Sequence, residues 1–456
     1  MHSVLRSALA RALSFVPIAV ATLLTSRLII QHYGIGSFDS YALIVSLIFL
    51  IPLNNLGVGA SVTSSYAADG PRAEHARRVT VTAARVLTLS TVGTAAAALL
   101  LGAFGWWPTL LGAASGPSGT VGVAIAVYAL SFVPGLGQNM LLGVNRNHVT
   151  VLVQASFAPF ILLGVVGVLL AGADRRWLLV VPTAAMLAVT LLTASVAART
   201  TGVSWAGVLR AVPFPRRFPG ARIRQLSGPV LISTLANPIA LQSDRIVLSH
   251  VSTEHEVATY SLVVQIIAPA MALVAAAAQP LWPIFTKARA DGADGPGLSR
   301  VLALFGAAGA ALGLVAALLA NPIAALIGGS KVHSVGILLP VAGALTIVTA
   351  ALAYPVAMHL MDPAGARFVA LATCVALPLN LGASIWLASW LGAPGPLLGT
   401  VIVGLLVQTG PAVIYARNRH RVGRHRIGGA PHLVVFDELP VVVETAGAAR
   451  GFFGDR

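Results

Sequence analysis

Twelve times along this chain a run of about twenty residues passes with almost no charge, the length needed to cross roughly 30 Å of hydrocarbon. The runs cover approximately 8–31, 39–61, 80–104, 119–143, 149–172, 177–198, 226–250, 257–285, 301–327, 335–360, 366–390 and 396–416. Lipid gives the backbone no hydrogen-bonding partner, so each run must satisfy its own N–H and C=O groups by coiling into an α-helix. No stretch alternates with period two over repeated short segments, which sets a β-barrel aside. Only 9% of the residues are charged, against about 25% in a soluble domain. The expectation is an all-α integral membrane protein with twelve transmembrane helices. Prolines inside the runs, such as Pro17, Pro134, Pro269 and Pro355, fit this, because neighbouring helices can satisfy the backbone groups they free.

Charge sets the orientation. With the N-terminus in the cytoplasm, 24 of the 29 Lys and Arg fall on cytoplasmic segments or the helix ends beside them. Arg175, Arg176 and Lys331 lie in outer loops, and Arg27 and Arg245 within the runs. This bias is the positive-inside rule, with both termini cytoplasmic. The net charge of +15 therefore follows from topology and from attraction to anionic lipid, and calls for no nucleic-acid partner.

The chain also repeats itself. Arg27-Leu28-Ile29-Ile30 and Arg245-Ile246-Val247-Leu248 open two similar passages, 218 positions apart. Each crosses a short polar stretch and resumes at a tyrosine, Tyr41 or Tyr260, and each leads to Ala-Asp-Gly, at 68–70 and 290–292. The two copies start on helices one and seven, which run the same way, so the repeat is parallel, about an axis along the membrane normal. It divides the chain into an N-lobe (1–210), a C-lobe (211–416) and a basic cytoplasmic tail (417–456). Between the lobes, residues 199–225 are rich in Arg and Pro and carry Trp205 and Phe218. They read as a connector on the inner leaflet or as a plain linker.

Ionisable groups at membrane depth are costly and usually face a cavity or a partner. Arg27 and Arg245 occupy equivalent places in the two lobes and would face each other across a central cavity. Guanidinium binds phosphate oxygens bidentately, so the pair suits a diphosphate. Each can equally snorkel to the interface. Asp244 diverges from Arg245 by about 100° around the helix, leaving it free to pair with a cation of the other lobe or to guard the site. Amides recur at Asn55, Gln138, Asn139, Asn237, Gln242 and Gln265. They can line a glycan cavity or tie helices together. No phosphate loop, H-E-x-x-H, C-x-x-C or G-x-S-x-G pattern occurs, and a single cysteine, Cys374, excludes an internal disulfide. The reading is a carrier and not an enzyme, with no cofactor and no metal site; a coupling H+ or Na+ stays unassigned.

"RLIIQHYGIGSFDSYALIVSLIFLIPLNNLGVGASVTSSYA" (27–67) resembles the opening of polysaccharide exporters of the O-antigen flippase type. Tyr33-Gly34, Tyr41 and Asn55-Leu56-Gly57-Val58-Gly59 stand at the places of that family's motifs, with Asn55 where an acid is common. "QSDRIVLSHVSTEHEVATYSLVVQ" (242–265) and the prolines 280 and 283 resemble its helix-seven and helix-eight signature. The resemblance implies the multidrug/oligosaccharidyl-lipid/polysaccharide (MOP) exporter fold, shared with MATE transporters, in which two six-helix bundles surround a central cavity. It implies a bacterial inner-membrane flippase moving polyprenyl-diphosphate-linked glycan to the outer leaflet, with membrane lipids and polysaccharide-assembly proteins as partners. The rivals are a peptidoglycan-precursor flippase and a cation-coupled multidrug exporter of the same fold.

Overall fold

The computed structural model describes residues 2–50, 55–111, 116–252, 254–292, 295–328 and 335–427. Residues 428–456 of the basic tail lie outside them. The first half contains α1 (His2–Tyr33), α2 (Ile35–Leu50), α3 (Val58–Asp69), α4 (Glu74–Ala103), α5 (Trp107–Leu111) and α6 (Ser118–Ala129). It continues with α7 (Phe132–Gly143), α8 (Asn147–Ala155), α9 (Phe157–Leu170), α10 (Val181–Thr201) and the short α11 (Trp205–Ala211). The second half holds α12 (Arg224–Val251), α13 (Glu254–Ala278), α14 (Leu281–Ala290) and α15 (Leu298–Gly328). After these come α16 (Leu338–His359), α17 (Pro363–Leu391), α18 (Pro394–Val403) and α19 (Gly410–Ile427). No strand occurs among the described residues.

Ten helical runs are long and apolar enough to cross a membrane, and they coincide with ten of the twelve expected spans. The other two are helical as well. Span 39–61 is split between α2 and α3 by a turn with left-handed Leu56 (φ 46) and Gly57 (φ 71). Span 226–250 is α12, in which Asn237, Gln242, Asp244 and Arg245 dilute the apolar character.

Each half builds its own core. One cluster joins Val62, Tyr66, Leu87, Phe132 and Met140, and another Val263, Ile267, Leu339 and Ile347. The helices also choose the same neighbours in both halves. As α4 packs on α6, so α15 packs on α16; as α1 lies along α8 and α9, so α12 lies along α17. α3 meets α7 as α14 meets α16, and α10 meets α7 and α9 as α18 meets α16 and α17. The sequence repeat is thus a repeat of packing.

The halves meet along a seam near the end that carries most of the arginines, called here the basic end. Ala60, Leu142, Leu226, Trp282 and Ala366 form a cluster across it. The Ser61 and Ser227 hydroxyls are 2.8 Å apart, and the Trp282 indole N–H donates to Ser64 Oγ at 3.2 Å. Gly57 is required at this seam, since a Cβ there would strike the backbone of Ser227 and Leu231.

Without a hydrophobic drive between helices in lipid, close backbone approach at small residues supplies much of the packing. Gly137 on α7 lies so near α10 that a Cβ would reach Ala194 Cα at 2.7 Å, whereas Gly135, two residues earlier, has open space. Gly137→Ala is expected to destabilise the fold by about 1–3 kcal/mol through overpacking, and Gly135→Ala to leave it unchanged or slightly firmer. Thermal unfolding of the purified protein in detergent reads the difference; equal melting temperatures would disprove the close contact.

Candidate functional site

The second half buries a carboxylate. Asp244, on α12, is 4% exposed and receives hydroxyls from three other helices. Ser384 of α17 donates to Oδ1 at 3.0 Å, Thr400 of α18 to Oδ2 at 3.3 Å and Tyr260 of α13 to Oδ2 at 3.4 Å. Among the described residues no Lys, Arg or His pairs with it. The described partners of Asp244 are thus a ring of hydroxyls within its own half.

The local sequence explains the ring. Thr373, Ala376, Asn380, Ser384 and Ala388 recur at helical spacing and form a buried stripe of α17, the helix on which α12 packs. Asn380 stands one turn before Ser384 on this stripe. It is 6% exposed, and its Oδ1 accepts no hydrogen bond among the described groups. Thr400 lies in α18 just before a π-helical turn, Gly404–Thr409, an irregularity frequent at functional sites.

Chemically the ring is a cluster of oxygens carrying one negative charge. Hydroxyls rotate freely, so they can donate to the bare carboxylate or turn their lone pairs toward a cation. Among the described residues no three of His, Cys, Asp or Glu gather in one place, so this is not the several-carboxylate cage that a divalent ion favours. One charge among neutral oxygens matches a monovalent cation or a proton.

Of the two predicted arginines the structure describes the side chain of one. Arg27 is exposed and makes no ion pair or hydrogen bond among the described residues. It lies on the face of α1 away from the buried Ala21, Thr25 and Ile29, and shares that face with the exposed Val20, Leu23, Leu24 and Ile30. The side chains of Arg245, Asn237, Gln242 and Gln265 lie outside the described residues, although their backbones are helical.

Two predicted amides have structural duties. Asn55 Oδ1 accepts the Gly59 N–H at 2.8 Å, closing the first turn of α3 after the left-handed break. Asn139, buried on α7, has its backbone carbonyl bonded by the Thr63 hydroxyl at 3.2 Å. Both amide oxygens crowd Gly59, where a Cβ would not fit. Gln138 accepts from Gln154 Nε2 at 2.9 Å and is half-buried. Sequence reasoning missed Tyr260, Ser384 and Thr400 as partners of Asp244. Serine and threonine are commonplace in membrane helices, and only the four-residue spacing of Asn380 and Ser384 hints at a shared polar face.

No family model matches the sequence, and no curated protein matches it either. Solved structures do. A MOP superfamily transporter from Pyrococcus furiosus superposes with a TM-score of 0.71 at 16% identity, over 92% of this chain and 96% of the other. An outward-facing multidrug-resistance MATE family transporter gives a TM-score of 0.71 at 16% identity, over 93% and 96%. The Vibrio cholerae MATE transporter in its bent form gives 0.66 at 15% identity, over 93% and 98%. At such identities the fold is what is shared: twelve helices in two pseudo-symmetric lobes, the architecture of MATE transporters of the MOP superfamily.

Removing the shortest contact to the buried carboxylate should be costly. Ser384→Ala is expected to lower stability by about 1–3 kcal/mol, the usual penalty for an under-satisfied buried polar group. Ser389→Ala, on the same helix but exposed and bonded only to the Trp386 carbonyl, should change it by less than about 0.5 kcal/mol. Paired melting curves decide, and identical losses would show that the ring contributes nothing special.

Proposed function

We propose that the chain is a secondary transporter that works by alternating access, coupled to a monovalent cation at Asp244, and that its substrate is a polyprenyl-diphosphate-linked glycan. The observation that carries this reading is the buried Asp244 with its hydroxyl ring, set in a fold whose solved examples are transporters. A buried carboxylate whose partners among the described residues are hydroxyls is a group for holding and releasing cations.

The substrate class is supported by Arg27. A permanent positive charge, exposed among large aliphatic side chains and without an ion pair among the described residues, suits an amphiphile whose anionic head group meets the guanidinium while its tail rests in lipid. Arg245, equivalent in the repeat, would supply the second cation for a diphosphate. A negative-inside potential favours outward movement of the anion by about 2.3 kcal/mol per charge per 100 mV. In this reading both termini are cytoplasmic in a bacterial inner membrane. The closed seam at the basic end then corresponds to a state shut toward the cytoplasm. The chain is a carrier and not an enzyme. A multidrug exporter is the second reading, favoured by Asp244 itself, since such an exporter also needs a membrane acid, and by the multidrug-resistance neighbour.

Three measurements test the proposal. In proteoliposomes a labelled polyprenyl-diphosphate oligosaccharide should move between leaflets, and Arg27→Ala with Arg245→Ala should slow it about tenfold or more, as loss of charge-assisted bonds requires. Cation-driven dye efflux with no movement of the lipid would favour the multidrug reading. Sodium ions or lowered pH should raise the melting temperature of the wild type and leave that of Asp244→Asn unmoved. A shift retained by the variant would remove Asp244 as the coupling site.

A further inference from the structure

The segment joining the halves is built to hold anionic lipid. From residue 175 to residue 243 the chain has no Asp or Glu, while residues 199–224 carry Arg199, Arg210, Arg216, Arg217, Arg222 and Arg224. In the structure this segment is a strap fastened to the first half by its backbone. Arg85 of α4 donates to the carbonyls of Val212 at 3.2 Å, Ala211 at 2.8 Å and Phe218 at 2.6 Å. Thr82, one turn away, exchanges hydrogen bonds with the N–H and the carbonyl of Ala221 at 3.0 and 3.3 Å. With its backbone turned inward and satisfied, the strap presents its side chains outward. Arg210, Arg216 and Arg217 are exposed. So are two large apolar side chains, Leu209 at 53% and Phe214 at 57%.

The depth of the strap follows from α4. On that helix the exposed large apolar side chains begin at Leu89 and continue through Val92, Leu99 and Leu100, marking the lipid-facing stretch. Arg85 stands one turn before Leu89, about 6 Å along the axis. The strap is therefore held at the rim of the hydrocarbon, at head-group level. Cationic groups interspersed with exposed leucine and phenylalanine at that level are the chemistry of an interfacial anchor. Topology alone accounts for basic loops, but not for two large apolar side chains displayed between arginines on a backbone tied down by three bonds to one guanidinium.

We propose that the strap, through Arg210, Arg216 and Arg217 with Leu209 and Phe214, is a binding site for anionic phospholipid head groups. The inference does not depend on what the protein transports. Phosphate oxygens would engage the guanidiniums, and the two apolar side chains would enter the acyl boundary.

The test uses the full chain carrying Cys374→Ser, which removes its only cysteine, and Phe214→Cys bearing a spin label. Phosphatidylglycerol is titrated into zwitterionic micelles, and burial of the label is followed by its accessibility to an apolar relaxant. Burial should rise with phosphatidylglycerol. Its midpoint should shift about fivefold for each of the three arginines changed to Gln, as about 1 kcal/mol per surface arginine implies. The triple Arg→Lys variant should restore the midpoint and so separate charge from folding damage. The control triple, Arg72→Gln, Arg300→Gln and Arg367→Gln, removes the same charge from other exposed sites and should leave the midpoint in place. A label that stays in water at every lipid content overturns the proposal, and so does a control triple that shifts the midpoint equally.

Discussion

A carboxylate buried among membrane helices is costly, and the second half of this protein meets that cost with hydrogen bonds to Asp244. Asp244 takes its hydrogen bonds from α13, α17 and α18 while lying on α12, so four helices are registered by one side chain. Among the described residues hydroxyls answer it, and no arginine does. A fixed ion pair would lock the acid in one state, whereas hydroxyls stabilise it while leaving it able to exchange a proton or a cation. Asn380, one turn from Ser384 on α17, carries a buried Oδ1 with no partner among the described groups.

The two halves repeat the same packing but not the same chemistry. Matching Arg27 with Arg245 places Ser26 opposite Asp244. The Ser26 hydroxyl bonds back to the Thr22 carbonyl at 3.0 Å, the behaviour of a hydroxyl satisfied by its own helix. Tyr41, opposite Tyr260, is buried in an apolar cluster with Ile29, Ile161 and Val165. A duplicated scaffold thus carries an acidic site in one half and an apolar core at the matching place in the other. In the proposed mechanism, cation coupling therefore belongs to the second half.

The number and class of the spans were legible because bilayer thickness imposes a length on the sequence itself, and the repeat was legible because arginine, tyrosine and Asp-Gly punctuate otherwise uniform helices. Asp244 stood out for the same reason: acids are rare at that depth. Its partners did not, because Ser384 and Thr400 lie 140 and 156 residues away and nothing local marks a hydroxyl that points inward. Asn55 and Asn139 look alike in sequence to cavity-lining amides. Only the crowding at Gly59 shows that their oxygens are turned toward a helix backbone. The strap illustrates the same limit, since its composition announced a connector while Arg85, 126 residues upstream of Ala211, decides where it lies.

The breaks in the helices follow the repeat as well. The turn at 55–57 separates α2 from α3, and the turn at 279–280 separates α13 from α14. The offset of 222 between Gly70 and Gly292 makes these breaks equivalent. The pieces beyond them, α3 and α14, pack against each other across the seam and are pinned there by Trp282 on Ser64. Secondary transporters built from repeats also carry interruptions at matching places, near their binding sites. A rigid spanning helix could leave the seam only by moving its whole length. A helix already broken at the seam's inner edge can release its end alone, while the core of its own half stays packed. The left-handed Leu56, a strained conformation for a side-chain-bearing residue, sits at this break beside Gly57, which lies against the backbone of Ser227 and Leu231.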